Sequence, residues 1–226
     1  KLKELSRRND IKGLNHFFLY FLFLFLFGYL AYTTWGSWWS IIFFFIYGTI
    51  YSFSVSNWHE TVHKTAFKTR WLNEIFYHIS SFMCDFEGFR WRWSHTFHHT
   101  YTLQTQEDYD HEIQISRPTE LFCFFLNYIP FADLLFPHRL IKYEIFKHSL
   151  GILTPVVKTS APKNQKNKII WNSRLYVFIW LCVFLFSFYI ESILPIIYII
   201  LPTYYGKPIW FAVNVTQHLA AAVDKK

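Results

Sequence analysis

Residues 17–32 read FFLYFLFLFLFGYLAY, with no charge anywhere in the run. A helix built from this stretch is apolar on every side, and such a helix sits either deep in a large core or in lipid. The span from Ala31 to Val55 is uncharged as well. Runs of this length and purity predict membrane helices, since about 20 apolar residues cross the hydrocarbon layer of a bilayer. The first run is too long, and too poorly followed by small residues, to make a good signal peptide. Composition agrees. Of the 226 residues 53% are hydrophobic and 23% aromatic, with 27 Phe, and only 16% are charged, against about 25% in a soluble domain.

The net charge of +7 would raise nucleic acid as a partner in a soluble protein. Here the basic residues are sorted by position: Lys and Arg occur before Phe17 and between Trp58 and Arg174, and are absent from 17–58 and from 175–202. Basic loops stay on the cytoplasmic side of a membrane, so this pattern speaks for topology and against nucleic-acid binding. Cys84, Cys123 and Cys182 are isolated. They form neither a zinc ribbon nor a disulfide framework, and fit reduced thiols.

The reading that follows is an all-α integral membrane protein: a single domain of two transmembrane hairpins, four spans in all, with a cytoplasmic helical cap. The spans are expected at about 15–32, 38–53, 175–190 and 193–213, and the cytoplasmic segment at 57–174. Tryptophans at 35, 38 and 39 suit the outer interface. Pro195, Pro202 and the Lys207–Pro208 pair are expected to kink or break the last span. Residues 75–86 and 120–136 read as interfacial or partly buried helices, and 158–168 as an exposed basic loop.

Two short stretches then stand out, WHETVH at 58–63 and WRWSHTFHH at 91–99. His59 and His63 are four apart. His95 precedes His98 and His99 by three and four. On helices each set shares one face. One such pair is common by chance. Three imidazoles on one face would repel once protonated and gain nothing as packing, whereas neutral imidazole is a preferred ligand of first-row metals. NVTQH at 214–218 adds Asn214 and His218 at the same spacing, where the last span is expected to return to the same side. With at least six histidines and no cysteine nearby, two metal ions are expected, and iron is favoured because an open imidazole site can use dioxygen.

HETVH, WRWSHTFHH and NVTQH between membrane hairpins resemble the histidine boxes of the membrane fatty acid desaturase and hydroxylase superfamily. HKTAFKTRWLNE after the first box and WRWSHTFHHTYT around the second are similar to acyl-lipid desaturases. The resemblance implies a non-haem di-iron oxidoreductase that uses O2 and electrons to break unactivated C–H bonds. Either a double bond or an alcohol results. It implies His59, His63, His95, His98, His99 and His218 as iron ligands, with Asn214 close to an iron. It implies a lipid- or thioester-linked acyl substrate and an electron donor such as cytochrome b5 or ferredoxin. The membrane would be the endoplasmic reticulum in a eukaryote or the inner membrane in a bacterium. A hydroxylase or ketolase of acyl chains, alkanes or carotenoids is the alternative within the same chemistry. The family also carries a further HxxHH box after NxxxH, which residues 219–226, LAAAVDKK, do not contain. That, with a first residue that is not Met, leads to the expectation of a piece of a longer protein, underbound in metal and inactive alone.

Four other features have two readings. Arg90 and Arg92 alternating with Trp91 and Trp93 read best as an interfacial anchor. Glu60 reads as a partner for a ligand N–H or as a solvated carboxylate, and Asp108, Asp110 and Glu112 likewise. His78, His111, His138 and His148 lack partners at helical spacing and read as surface or core histidines. A membrane metal transporter would need polar residues along its spans, and these have almost none.

Overall fold

The computed structural model describes residues 7–101, 122 and 125–216. Among these residues every regular element is helical. Helix α1 is Asp10–Thr33, and α2, Trp38–Ser52, runs through Phe53 into α3, Ser54–Val62. Next come α4, Arg70–Met83, and α5, Gly88–Thr100. Further along, after 3-10 turns at Ala132–Leu135 and Pro137–Arg139, α6 is Ile141–Ser149, α7 Pro155–Ser160 and α8 Lys166–Tyr189. Three short helices follow: α9, Leu194–Ile199, α10, Pro202–Tyr205, and α11, Lys207–Val215. Three helical stretches are long and apolar enough to cross a membrane: Asp10–Thr33, Trp38–Val62 and Lys163–Tyr189.

These long helices are apolar outside and partly polar inside. On α1 the buried residues Gly13, Phe17, Leu24 and Ala31 follow one seam, while Phe18, Phe25 and Tyr29 face outward. The buried faces of α2 and α8 carry Ser40, Ser52, Ser173 and Ser187 beside aromatic residues. Lipid is as apolar as Leu, so small and hydroxylated side chains collect where helices touch each other. Leu24, Ala31, Phe44, Tyr47, Tyr51, Met83 and Tyr205 form the main apolar cluster.

Helices α1 and α8 start before the spans read from hydropathy, and α2 runs on past the end of its span into α3. Helix α1 begins at Asp10 because the Asn9 side chain accepts the N–H groups of Ile11 and Lys12. The Asp10 carboxylate in turn accepts the backbone N–H of Thr69 at 2.8 Å and its hydroxyl at 2.7 Å, which fixes the start of α4. Helix α8 starts at Lys166 rather than 175. Residues 158–168 are correspondingly not an open loop: they hold the end of α7, a 3-10 turn at Lys163–Gln165 and the first turn of α8.

Residues 193–213 do not form one rod. Proline breaks them into α9, α10 and α11. Pro202 has no N–H for the carbonyl of Tyr198, and the Tyr47 hydroxyl donates there instead, at 3.0 Å. Tyr205 donates to Ile197 O at 3.1 Å and Tyr51 to Ile199 O at 3.4 Å. An apolar surrounding demands that freed carbonyls find such donors. The segment then crosses α2 with backbone against backbone. A Cβ built on Gly206 would lie 1.9 Å from the carbonyl carbon and oxygen of Gly48. Two ion pairs tie its far end down: Lys142 binds Asp85, which also accepts the Thr203 hydroxyl at 2.9 Å, and Lys207 binds Asp133.

Candidate metal centre

Because α3 continues α2, the first histidine box rides on the end of a membrane-length helix. The helix closes tightly there. His63 caps it, Lys64 adopts a left-handed φ of 57°, and Thr65 N returns to Glu60 O at 3.0 Å. The Thr65 hydroxyl also donates to the Glu60 carboxylate at 2.7 Å, and that carboxylate lies 3.7 Å from His59 Nδ1. Glu60 is thus partnered by its own turn and its neighbouring imidazole.

Helix α5 brings the second box from the other side. Its N-terminus is capped by Glu87, 1% exposed, which accepts Phe89 N at 3.2 Å, Arg90 N at 2.7 Å and the side-chain amide of Asn172 on α8. Burial disfavours the charged form of Glu87 more than these donors favour it, so its pKa is raised to about 7. Arg90 donates to Glu144 at 3.3 Å and to Ser94 Oγ at 2.9 Å, and Glu144 also accepts the Thr154 hydroxyl at 2.8 Å. Arg92 donates to Glu74 at 2.7 Å and lies 4.2 Å above the Tyr77 ring. The arginines are therefore paired inside the protein rather than reaching out as an interfacial anchor. Trp91 stacks on Phe86 at 3.8 Å, and Trp93 packs against Val157, Ala161 and Ile169.

Between the two helices four imidazoles converge. One ligand atom from each of His59, His63, His95 and His99 lies within 4.8 Å of all the others. The Nε2 atoms of three of them form a near-equilateral triangle: His63–His95 3.1 Å, His63–His99 3.0 Å and His95–His99 3.1 Å. Hydrogen bonding cannot satisfy that triangle. Each contact needs one donor and one acceptor, and an odd ring of three cannot alternate them. A cation facing all three lone pairs resolves the conflict. Nitrogens bound at about 2.1 Å to one first-row ion lie about 3.0 Å apart at right angles and about 3.4 Å apart at tetrahedral angles. The observed edges, 3.0–3.1 Å, are of the size that three nitrogens on one ion would have. His63 is also held neutral. Its pKa falls to about 4, first through burial and then through the nearby His59, His95 and His99, so its lone pair is free for a metal at neutral pH.

The group of four does not include the other residues predicted for the site. His98 is buried on α5, its ring 5.7 Å from His95 and 5.6 Å from His99, and stands outside the group of four. Asn214 lies near the end of α11, and His218 lies outside the described residues. Asp108, Asp110, Glu112 and His111 also lie outside them. His148 is a core histidine, fully buried and 3.0 Å from the Thr154 hydroxyl, and His78 packs beside Tyr77 and Phe89.

Sequence reading missed the residue behind the cluster, Trp58. It is 2% exposed, with its ring edge-on to His95 at 4.9 Å, to Phe86 at 5.0 Å and to Trp91 at 6.2 Å. Its place directly before His59 was the available signal: a large ring one position off the histidine face must pack beneath it. It missed also that Glu74, Glu87 and Glu144 would each meet α5.

A family model for fatty acid desaturases matches residues 36–226. No curated protein and no solved structure matches the chain. The matched region contains both converging boxes and every described helix except α1, and the chain belongs to the fatty acid desaturase family.

Proposed function

We propose that the chain carries out O2-dependent desaturation of a long fatty acyl chain, lipid- or thioester-linked, at a histidine-ligated pair of irons. The observation that carries this reading is the four-imidazole cluster at the end of a membrane-length helix. His59, His63, His95 and His99 would hold one iron, and His98, Asn214 and His218 would serve a second. Iron supplies, with O2 and electrons, the oxidising power to break an unactivated C–H bond. The protein's part is placement. The Nε2 atoms of His63, His95 and His99 converge from two helices and would hold one ion together. Trp58 and the walls of α3 and α5 close the cluster from behind.

The positive-inside distribution of Lys and Arg supports histidine boxes on the cytoplasmic side, with 193–213 forming a fourth, broken span and 57–174 the cap. The compartment is then the endoplasmic reticulum in a eukaryote or the inner membrane in a bacterium. The electron donor would be a small carrier such as cytochrome b5 or ferredoxin.

The test is expression of the full-length protein in a host with a defined fatty acid pool, followed by lipid analysis. New alkenes that vanish in a His63→Ala strain are expected. An oxygenated acyl product instead would replace desaturation by hydroxylation on the same site. No iron in the purified protein would remove the oxidative reading altogether.

A further inference from the structure

Lys64 follows His63 directly, at the left-handed end of α3. Arg92 stands three residues before His95 and seven before His99, on the same face of α5. Both cations reach one carboxylate on the helix between them: Arg92 Nη2 is 2.7 Å from Glu74 Oε2, and Lys64 Nζ is 3.8 Å from Glu74 Oε1. Glu74 thus uses one oxygen for each histidine helix. Its own helix, α4, is braced against both. Tyr77, one turn along from Glu74, packs on Trp58 of α3 with ring centroids 6.4 Å apart, and its hydroxyl donates to the carbonyl of Gly88 on α5.

We propose that Glu74 is a positioning residue for the four-histidine cluster, a strut that sets the separation of the two box-bearing helices. The proposal rests on that cluster being a metal site. Its physical basis is a mismatch between what the pairs contribute to folding and where they sit. Partly exposed ion pairs contribute little to stability. A metal site, by contrast, needs its donors within about 0.5 Å of the right place. One carboxylate joined to both helices beside their ligands acts on that distance more than on the fold. The prediction is therefore split: metal affinity falls, and the stability of the metal-free protein hardly moves.

The experiment uses the full chain in detergent, stripped of metal and titrated with Co(II), reading the visible d–d bands and the Kd. Glu74→Gln keeps the shape and removes the charge. It is expected to weaken Co(II) binding about tenfold, the lower end for residues that act through ligands, and to change the band pattern. The melting temperature of the metal-free protein should stay within about 2 °C. Lys64→Gln, which cuts only the longer and more exposed link, should weaken binding about threefold, and it keeps the proposal testable should Glu74→Gln fail to fold. Unchanged Kd and bands in these variants, with the wild type binding Co(II), overturn the role of Glu74 alone. A wild-type chain that binds no Co(II) overturns the site and the strut together.

Discussion

The two histidine helices share one seam of packed rings and differ in what else holds them. Helix α3 is the tip of a membrane-length rod and is backed by rings: Trp58 against Phe86, Trp91 and His95. Helix α5 is a separate 13-residue piece gripped by charges, with Glu87 at its start and Arg90 and Arg92 reaching carboxylates on two other helices. The contrast teaches that one pocket can join a rigid, apolar support to an adjustable, polar one. The first resists displacement through packing, which does not titrate. The second depends on the protonation of its acids.

Four substitutions probe the contrast. His95 belongs to both halves, since it joins the triangle and rests on Trp58. His95→Ala should lower Co(II) or Fe(II) affinity about a hundredfold or more in a binding titration. Trp58→Ala attacks the apolar support and should cost about 3–5 kcal/mol of unfolding free energy in a denaturant titration, by an amount that does not change with pH. Arg90→Met attacks the polar support. It leaves Glu144 in a part-buried place with only Thr154 donating and His148 at 3.8 Å, and should cost about 2–3 kcal/mol in the same titration. If Arg90→Met cost nothing, α5 would be held by packing as α3 is. The gentlest probe is Glu87→Gln. Burial holds this carboxyl near pKa 7 in the folded protein, above the 4.5 of a free glutamate. Its contribution is present in full below pH 4.5 and is lost as pH rises through 7, because the unfolded chain gives up the proton first. The Gln side chain does not ionise. The variant should therefore match wild type near pH 4 and gain on it up to pH 7, by no more than about 3 kcal/mol. A gap that stayed flat with pH would show that Glu87 is charged in the folded protein.

The legible parts of the fold were those written in local periodicity. Sixteen residues such as 17–32 announce a lipid-facing helix without help from anything distant, and the i, i+4 spacing of His59 with His63 and of His95 with His99 states which rings share a face. The prolines of 193–213 announced a break. What no local pattern could give was partnership across the chain. Glu74, Glu87 and Glu144 read as ordinary acids, since the α5 arginines that Glu74 and Glu144 meet lie 18 and 54 positions away, and Glu87 meets the backbone of a helix more often capped by Asp, Asn, Ser or Thr. Arg90 and Arg92 were misread for the same reason: beside tryptophans and near a membrane their surroundings looked interfacial, and only the fold supplies the carboxylates. The starts of α1 and α8 were placed too far inward because polar residues such as Asp10 and Lys166 count against a span by hydropathy while still belonging to the helix.

The contact of Gly206 with Gly48 carries a practical consequence. Nothing but hydrogen fits between the two chains there, since even one added carbon would overlap a carbonyl at 1.9 Å. A methyl at this crossing is a wedge driven between α2 and the broken segment. Gly206→Ala is thus a natural starting point for a conditional variant, assembled in the cold and failing on warming, whose histidines are all intact.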